Sequence, residues 1–314
     1  MEVSDKRLQE IANTYQKTQD VYRTSQIEKI KSSSVERLLR EAKDRGILAD
    51  VETIIKIRPD VLILDIETSL MSFFAWSPGQ QYIRPDQIIE DWHTLSWAVK
   101  WLFEPDTYSD VLTPEEAREH DDERIIRSIW EFLDKADILI IHNARFDVRK
   151  LNARFIYYRL PPPSPYKIID TLLIMRSQAL FSSNKQEELA KKLGFSRKVA
   201  HEGQNLWKKC FYGDPAALLN MEKYNRGDIL SLEELYVIIR PYIKSHPNMN
   251  LFVESDGHSC PNCGGVKIGW MDKFYYTTVN KYSTFRCAEC GAVGRACSSV
   301  LDKTTKPQIV SIAR

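Results

Sequence analysis

Residues 61–68 read VLILDIET: four apolar residues, then acids alternating with an apolar residue. A short apolar run of this kind marks a strand buried on both faces. On a strand, residues two apart share a face, so Asp65 and Glu67 point together while Leu64 and Ile66 point the other way. An acid inside such a run is costly to bury unless it is paired or binds metal. A polar strand end dipping into solvent would read the same, and Asp-x-Glu recurs at Asp50/Glu52 and Asp121/Glu123 without the apolar run. The pair therefore gains meaning only from what lies elsewhere in the chain.

Downstream, TLSWAVKWL (94–102) and DILIIH (137–142) read as further strands. Helical periodicity marks DERIIRSIWEFLDK (122–135), ARFDVRKLNARF (144–155), QEELAKKLG (186–194) and a long segment from Asp214 to about Arg240. Strands first, with helices alternating later, predict an α/β domain over residues 59–250: a mixed sheet flanked by helices. Upstream, residues 1–58 show only helical spacing, with Leu8, Ile11, Tyr15, Val35, Leu38, Leu39 and Ala42 as the apolar positions. Downstream, the polar linker KSHPNMN (244–250) leads into a third segment, 251–314, dense in Cys, Tyr, Phe and Thr.

Two further acids stand where rigid elements would carry them. Asp147 falls in the first turn of the helix after DILIIH, where the helix dipole favours an acid with or without a metal. Tyr224 and Asp228 lie four apart in MEKYNRGDILSLEELY and share a helix face. The same spacing recurs at Tyr82/Asp86, where Pro85 opposes a helix interior, and at Tyr166/Asp170, which reads as strand. Hydrolysis of a phosphodiester develops charge on the attacking and leaving oxygens together, and two divalent ions stabilise both. Mg²⁺ takes oxygen ligands, so such a site calls for several converging carboxylates. His142 and His201 read as structural.

The order DIET (65–68), NARFD (143–147) and YNRGD (224–228), with about eighty residues between successive motifs, resembles the DEDD superfamily of 3′–5′ exonucleases. These have a ribonuclease H-like fold and include the proofreading domains of DNA polymerases. The resemblance covers about residues 59–243, and PDQIIEDWHTLSWAVKW (85–101) is similar to phage and bacterial polymerase-type exonucleases. It implies that Asp65, Glu67, Asp147 and Asp228 hold two Mg²⁺ or Mn²⁺ ions and that Tyr224 positions the attacking water. One branch of the superfamily has His five residues before the last Asp, a position held here by Lys223; the other has Tyr four before it, as here. Asn143 is a candidate for holding the substrate strand. Asp170, in KIIDTLLI, matches a recurring Asp-Thr-Leu segment and reads as structural.

Cys260-Pro-Asn-Cys263-Gly and Cys287-Ala-Glu-Cys290-Gly form two CxxC pairs. Each fits a knuckle turn in which Gly takes the unusual backbone angle after the second Cys. Four thiolates in two pairs make a closed tetrahedral Zn²⁺ site of structural type, and the segment resembles a zinc ribbon with a hairpin between the pairs. Cys210 and Cys297 read as ordinary small residues, and His258 as a substitute ligand at most. From Gly257 onward Lys and Arg outnumber Asp and Glu, among Trp270, Phe274, Tyr275, Tyr276, Tyr282 and Phe285. Cations with exposed aromatics suit single-stranded nucleic acid, whereas packing of a very small core would use part of the same set.

In the first segment, SSSVERLLREAKDRG (32–46) offers Ser33 and Glu36 as a capping box. Arg37, Arg40, Lys43 and Arg45 line the helix that follows, and the segment resembles a helix-turn-helix. Glu36, Glu41 and Asp44 dilute that charge, and an interaction bundle fits equally. The chain as a whole is nearly neutral, with 44 Lys and Arg against 43 Asp and Glu. Affinity for nucleic acid must therefore reside in local patches. No stretch reads as a membrane span or a signal peptide, which predicts a cytoplasmic protein, bacterial or in a phage-infected host.

The reading that joins all three segments is a metal-dependent 3′–5′ exonuclease with DNA as the substrate and RNA as the variant, working beside a replication or recombination protein. A structure-specific endonuclease or ribonuclease would use the same metals, and a non-catalytic nucleic-acid-binding protein is the alternative from another class.

Overall fold

The computed structural model describes residues 3–18, 24, 27–29, 35, 37–39, 41, 42, 45–47, 59–195, 202–252 and 257–312. The chain divides into two compact units: Met1–Ile55 with Asp60–Leu173 and Phe181–Leu235, and Lys56–Pro59 with Ile174–Leu180 and Tyr236–Arg314.

In the first unit, strand β1 (Val61–Thr68) is the middle of a five-stranded sheet. On one side it pairs antiparallel with β4 (Thr94–Trp101), which pairs antiparallel with β5 (Thr107–Val111). On the other it pairs parallel with β6 (Ile138–Ile141), which pairs parallel with β7 (Lys167–Asp170). The central position explains the unbroken apolar run: Leu62, Ile63 and Leu64 are fully buried because both sheet faces are covered. β2 (Ser72–Phe73) and β3 (Ile88–Glu90) form a separate two-stranded hairpin between β1 and β4.

Helices cover the segments that showed helical periodicity downstream of β4, and further helices lie beside them. After α1 (Asp5–Thr18) come α2 (Pro114–Glu119), α3 (Glu123–Lys135), α4 (Ala144–Tyr157), α5 (Thr171–Gln178), α6 (Gln186–Leu193), α7 (Gln204–Phe211) and α8 (Pro215–Ile239). The main core joins Leu62, Leu64 and Ile66 of β1 to Ile125, Ile126, Ile129 and Leu133 of α3, to Leu151 and Phe155 of α4, and to Met221 of α8. Asp122, fully buried, fixes three elements at once. It accepts from the Thr94 backbone N–H (2.7 Å), from Arg154 Nε (2.9 Å) and from the Tyr158 hydroxyl (2.7 Å). Lys100 Nζ on β4 meets Glu233 Oε2 on α8 at 2.7 Å, and Ser109 Oγ on β5 donates to Glu222 Oε1 at 2.7 Å. These two ties clamp α8 on both sides of Asp228.

Near the N-terminus, Leu8, Ile11, Ala12 and Tyr15 of α1 pack with Val35, Leu38, Leu39 and Ala42 in a small core of their own. Arg37 is exposed and pairs with Glu41 at 3.5 Å. Ser33, Glu36, Arg40, Lys43 and His201 lie outside the described residues.

In the second unit, β8 (Ile268–Tyr276), β9 (Lys281–Cys287) and β10 (Val293–Arg295) form an antiparallel sheet in the order β10-β9-β8. β8 and β9, which run between the two Cys pairs, form the hairpin expected there. Among the described residues no helix is long and apolar enough to cross a membrane.

Candidate metal and nucleic-acid site

The C-terminal end of β1 and the turns after β6 and β7 open at the same edge of the sheet, where parallel strands commonly present ligands. The alternation of β1 sends Leu64 and Ile66 into the core and leaves Asp65 and Glu67 on the other face, both partly open to solvent. α8 brings Asp228 to them. Carboxylate oxygens of Asp65, Glu67 and Asp228 all lie within 4.8 Å of one another.

Asp147 stands outside that set but belongs to the same neighbourhood. It sits in the first turn of α4, is nearly fully buried, and its Oδ1 accepts from the Ile66 backbone N–H at 3.3 Å. The start of α4 is fixed by Asp170, whose carboxylate accepts from the backbone N–H groups of Asn143 (3.2 Å), Ala144 (2.9 Å) and Leu173 (3.1 Å). Asp170 thereby holds the N-termini of both α4 and α5, the structural part that its sequence context suggested. His142 is likewise occupied: Nδ1 meets the Thr171 hydroxyl and Nε2 the Asn184 carbonyl, each at 2.9 Å. Asn143 is exposed in a left-handed conformation (φ 73°) and makes no side-chain cap to α4.

Two further side chains hold the acids in place. Asn225 is fully buried and its Nδ2 donates to Asp65 Oδ2 at 2.9 Å. The Trp207 indole Nε1 donates to Glu67 Oε2 at 3.2 Å, and its ring stands edge-on to Tyr224 with centroids 5.9 Å apart. Asn225 had a signal: it interrupts the apolar helical stripe of Met221, Ile229 and Leu232, all fully buried. Trp207 had none, since its contact with Glu67 spans 140 residues of chain.

Burial and mutual repulsion dominate the electrostatics. Burial, then the charges of Asp147, Glu67 and Asp228, hold the Asp65 carboxyl well above the usual carboxylate range. Burial and Asp228 push Glu67 up to about 8, against a lowering by the Trp207 hydrogen bond. Burial pushes Asp147 up to about 7 despite the Ile66 N–H. Tyr224 hydrogen-bonds Asp228, and burial plus the acids raise its phenol above the ordinary 10.

The donor set fits hard divalent cations: it is all oxygen, it converges, and the charges that act on Asp65 are all acidic. The buried Asn225, whose Nδ2 donates to Asp65, leaves its Oδ1 without a hydrogen-bond partner among the described residues. Asp65, Glu67, Asp147 and Asp228 are the residues that would hold such ions.

A pH dependence follows. The fold binds the Glu67 and Asp147 protons more tightly than the unfolded chain, where their ordinary values are 4.5 and 3.8. Stability is therefore lost as pH rises from about 4 to about 8. Melting of the magnesium-free protein should fall across that interval, and added Mg²⁺ should restore Tm most at the upper end. A flat profile, or an equal Mg²⁺ effect at both ends, would show that burial in the fold does not raise these carboxyls.

The four paired cysteines form the second cluster. All four Sγ atoms lie within 4.8 Å of one another, with Cys260–Cys290 and Cys263–Cys287 each at 3.6 Å. That is too long for a disulfide and close to the edge of a tetrahedron with metal–sulfur bonds of about 2.3 Å. The two knuckles repeat one geometry. Gly264 N–H donates to the Cys260 carbonyl at 2.7 Å and Gly291 N–H to the Cys287 carbonyl at 3.0 Å, with φ of 69° and 79° at the two glycines. The cluster is compatible with zinc and with a zinc ribbon. Cys210 is buried and Cys297 exposed, both free thiols outside the cluster. His258 also lies outside it, its ring edge-on to Trp270.

A family model described as RNase_H superfamily matches residues 102–240. The matched span takes in Asp147, Tyr224 and Asp228; β1 with Asp65 and Glu67 precedes it. Together with the mixed five-stranded sheet and its flanking helices, the match fits the ribonuclease H-like superfamily. It supports a nuclease-type function and nucleic acid as the substrate class. No curated protein matches the chain.

Proposed function

We propose that this protein is a two-metal-ion 3′–5′ exonuclease that hydrolyses terminal phosphodiesters of DNA, with single-stranded 3′ ends preferred. The observation that carries the proposal is the convergence of acids from β1, α4 and α8 at one sheet edge, with the Tyr224 hydroxyl on Asp228. Two Mg²⁺ or Mn²⁺ ions held there would lower the pKa of a water and neutralise charge on the attacking and leaving oxygens.

The chain's own residues supply orientation. Asn225 and Trp207 fix the rotamers of Asp65 and Glu67 through one hydrogen bond each. Asp147 is locked by the Ile66 N–H. Tyr224, with its pKa raised, keeps its proton and orients water rather than deprotonating it. The 3′ polarity comes with the resemblance of the three motifs to the DEDD exonucleases.

Tyr224→Phe removes one hydrogen bond to a charged partner. Cleavage should slow roughly 10- to 100-fold while Mn²⁺ affinity, read by calorimetry, stays near wild type. Loss of Mn²⁺ affinity would instead make the tyrosine part of the metal shell. The proposal itself is tested with 3′- and 5′-end-labelled single-stranded DNA and RNA in Mg²⁺, Mn²⁺ or neither. Stepwise metal-dependent shortening from the 3′ end supports it; internal cuts only, or no cuts in any condition, refute it.

A further inference from the structure

In the small sheet of the second unit, the core belongs to one end. Cys260, Cys287 and Ala292, with Cys263, Ile268 and Cys290 against them, form its apolar cluster among the described residues. The other end, where β8 turns into β9, contributes nothing to that cluster yet is lined with rings. Phe274, Tyr275 and Tyr276 are 38%, 50% and 66% exposed. β8 is also an edge strand, and an aromatic edge left bare invites aggregation unless it serves a partner.

Register sorts these rings by face. Tyr276 lies opposite Lys281 and Phe274 opposite Ser283, so these share one face; Tyr275 lies opposite Tyr282 on the other. Each face carries its own cation. Lys281 Nζ stands 3.8 Å from the Phe274 ring centre and 5.9 Å from that of Tyr276. The Arg295 guanidinium stands 4.1 Å from Tyr282 and 5.3 Å from Tyr275. Residues two apart on a strand are about 6.6 Å apart, room for one base about 3.4 Å thick between two rings.

Charge selects the occupant. Residues 257–314 hold eight Lys and Arg against Asp272, Glu289 and Asp302. The Asp302 carboxylate is turned onto its own backbone at Thr304 and Thr305, and that of Glu289 lies against Gly265 at the knuckle end. Rings with cations interleaved, on a basic background, fit a polyanion with unpaired planar groups.

We infer that the hairpin end built from Phe274, Tyr275, Tyr276, Lys281, Tyr282 and Arg295 binds single-stranded nucleic acid, stacking bases on its rings and pairing phosphates with its two cations. The inference rests on the reading of this chain as acting on nucleic acid and assigns to this unit the holding of the strand.

The test is anisotropy of a fluorescein-labelled oligothymidylate with the full chain, zinc retained and magnesium omitted. Tyr275→Ala with Tyr276→Ala should weaken Kd at least about tenfold, and Tyr275→Phe with Tyr276→Phe should stay within about twofold, because a phenyl ring stacks as a phenol does. Alanine variants that bind like wild type overturn the inference, and so does an equal loss in the phenylalanine pair. If the alanine pair loses its zinc, Lys281→Glu with Arg295→Glu replaces it: weaker binding with a shallower salt slope is expected, and unchanged binding overturns the inference. Cleavage by the same wild-type preparation keeps the two readings apart. Ring-dependent binding without cleavage removes the nuclease and leaves the hairpin site standing; cleavage with indifferent ring variants does the reverse.

Discussion

Asp228→Ala should lower the cleavage rate by about a thousandfold or more, since losing a metal ligand forfeits several kcal/mol of transition-state stabilisation. The fold should survive. Asp228 is partly exposed, and its helix is held independently by the Lys100–Glu233 and Ser109–Glu222 contacts. Removing it also relieves repulsion on Asp65 and Glu67, both of which it pushes upward. The metal-free variant should therefore melt at or above the wild-type temperature at pH 8. Asp65→Ala should give the same loss of turnover, but with less relief, because it also strands the amide of Asn225. Single-turnover kinetics with labelled DNA and a melting curve check both halves. Turnover within tenfold of wild type in either variant breaks the site assignment.

Removing zinc, or replacing Cys287 by Ser, should unfold residues 257–312. Among the described residues of 257–312 the apolar cluster consists of the four cysteines with Ile268 and Ala292, so metal binding, worth about 10–16 kcal/mol in small zinc modules, would take the place of apolar burial. Hydrogen exchange is the measurement: amides of β8, β9 and β10 should lose protection while those of β1, β4 and β6 keep theirs. Protection retained in the zinc-free protein would show that the sheet stands without metal. A zinc site closed by four thiolates would leave no coordination position for substrate, so chain cleavage at the acid cluster should need zinc only as far as the small sheet contributes to binding.

The parts legible in the sequence are those governed by local periodicity. A run of four apolar residues fitted a strand covered on both faces, and β1 is the central strand. The period of two put Asp65 with Glu67, and the period of the helix put Tyr224 with Asp228. The knuckle glycines were legible because a Gly after the second Cys of each pair suits a positive φ, and Gly264 and Gly291 adopt it. What the sequence did not show depends on long-range contact. The lodging of Asp147 under the Ile66 N–H requires β1 and α4 to be neighbours, and the Trp207–Glu67 bond joins residues 140 apart in the chain. Asn225 fell between the two cases: its break in an apolar stripe was visible, but its target was not. In the stretch 70–92 the strands β2 and β3 are two and three residues long, too short to show a period in the sequence.

The central claim is that Asp65, Glu67, Asp147 and Asp228 together hold two divalent ions. Anomalous diffraction from crystals soaked in Mn²⁺ measures this directly. Two manganese peaks among these four carboxylates, both lost in Asp65→Ala, are the expected result. No peak there in crystals that bind manganese elsewhere would contradict the account.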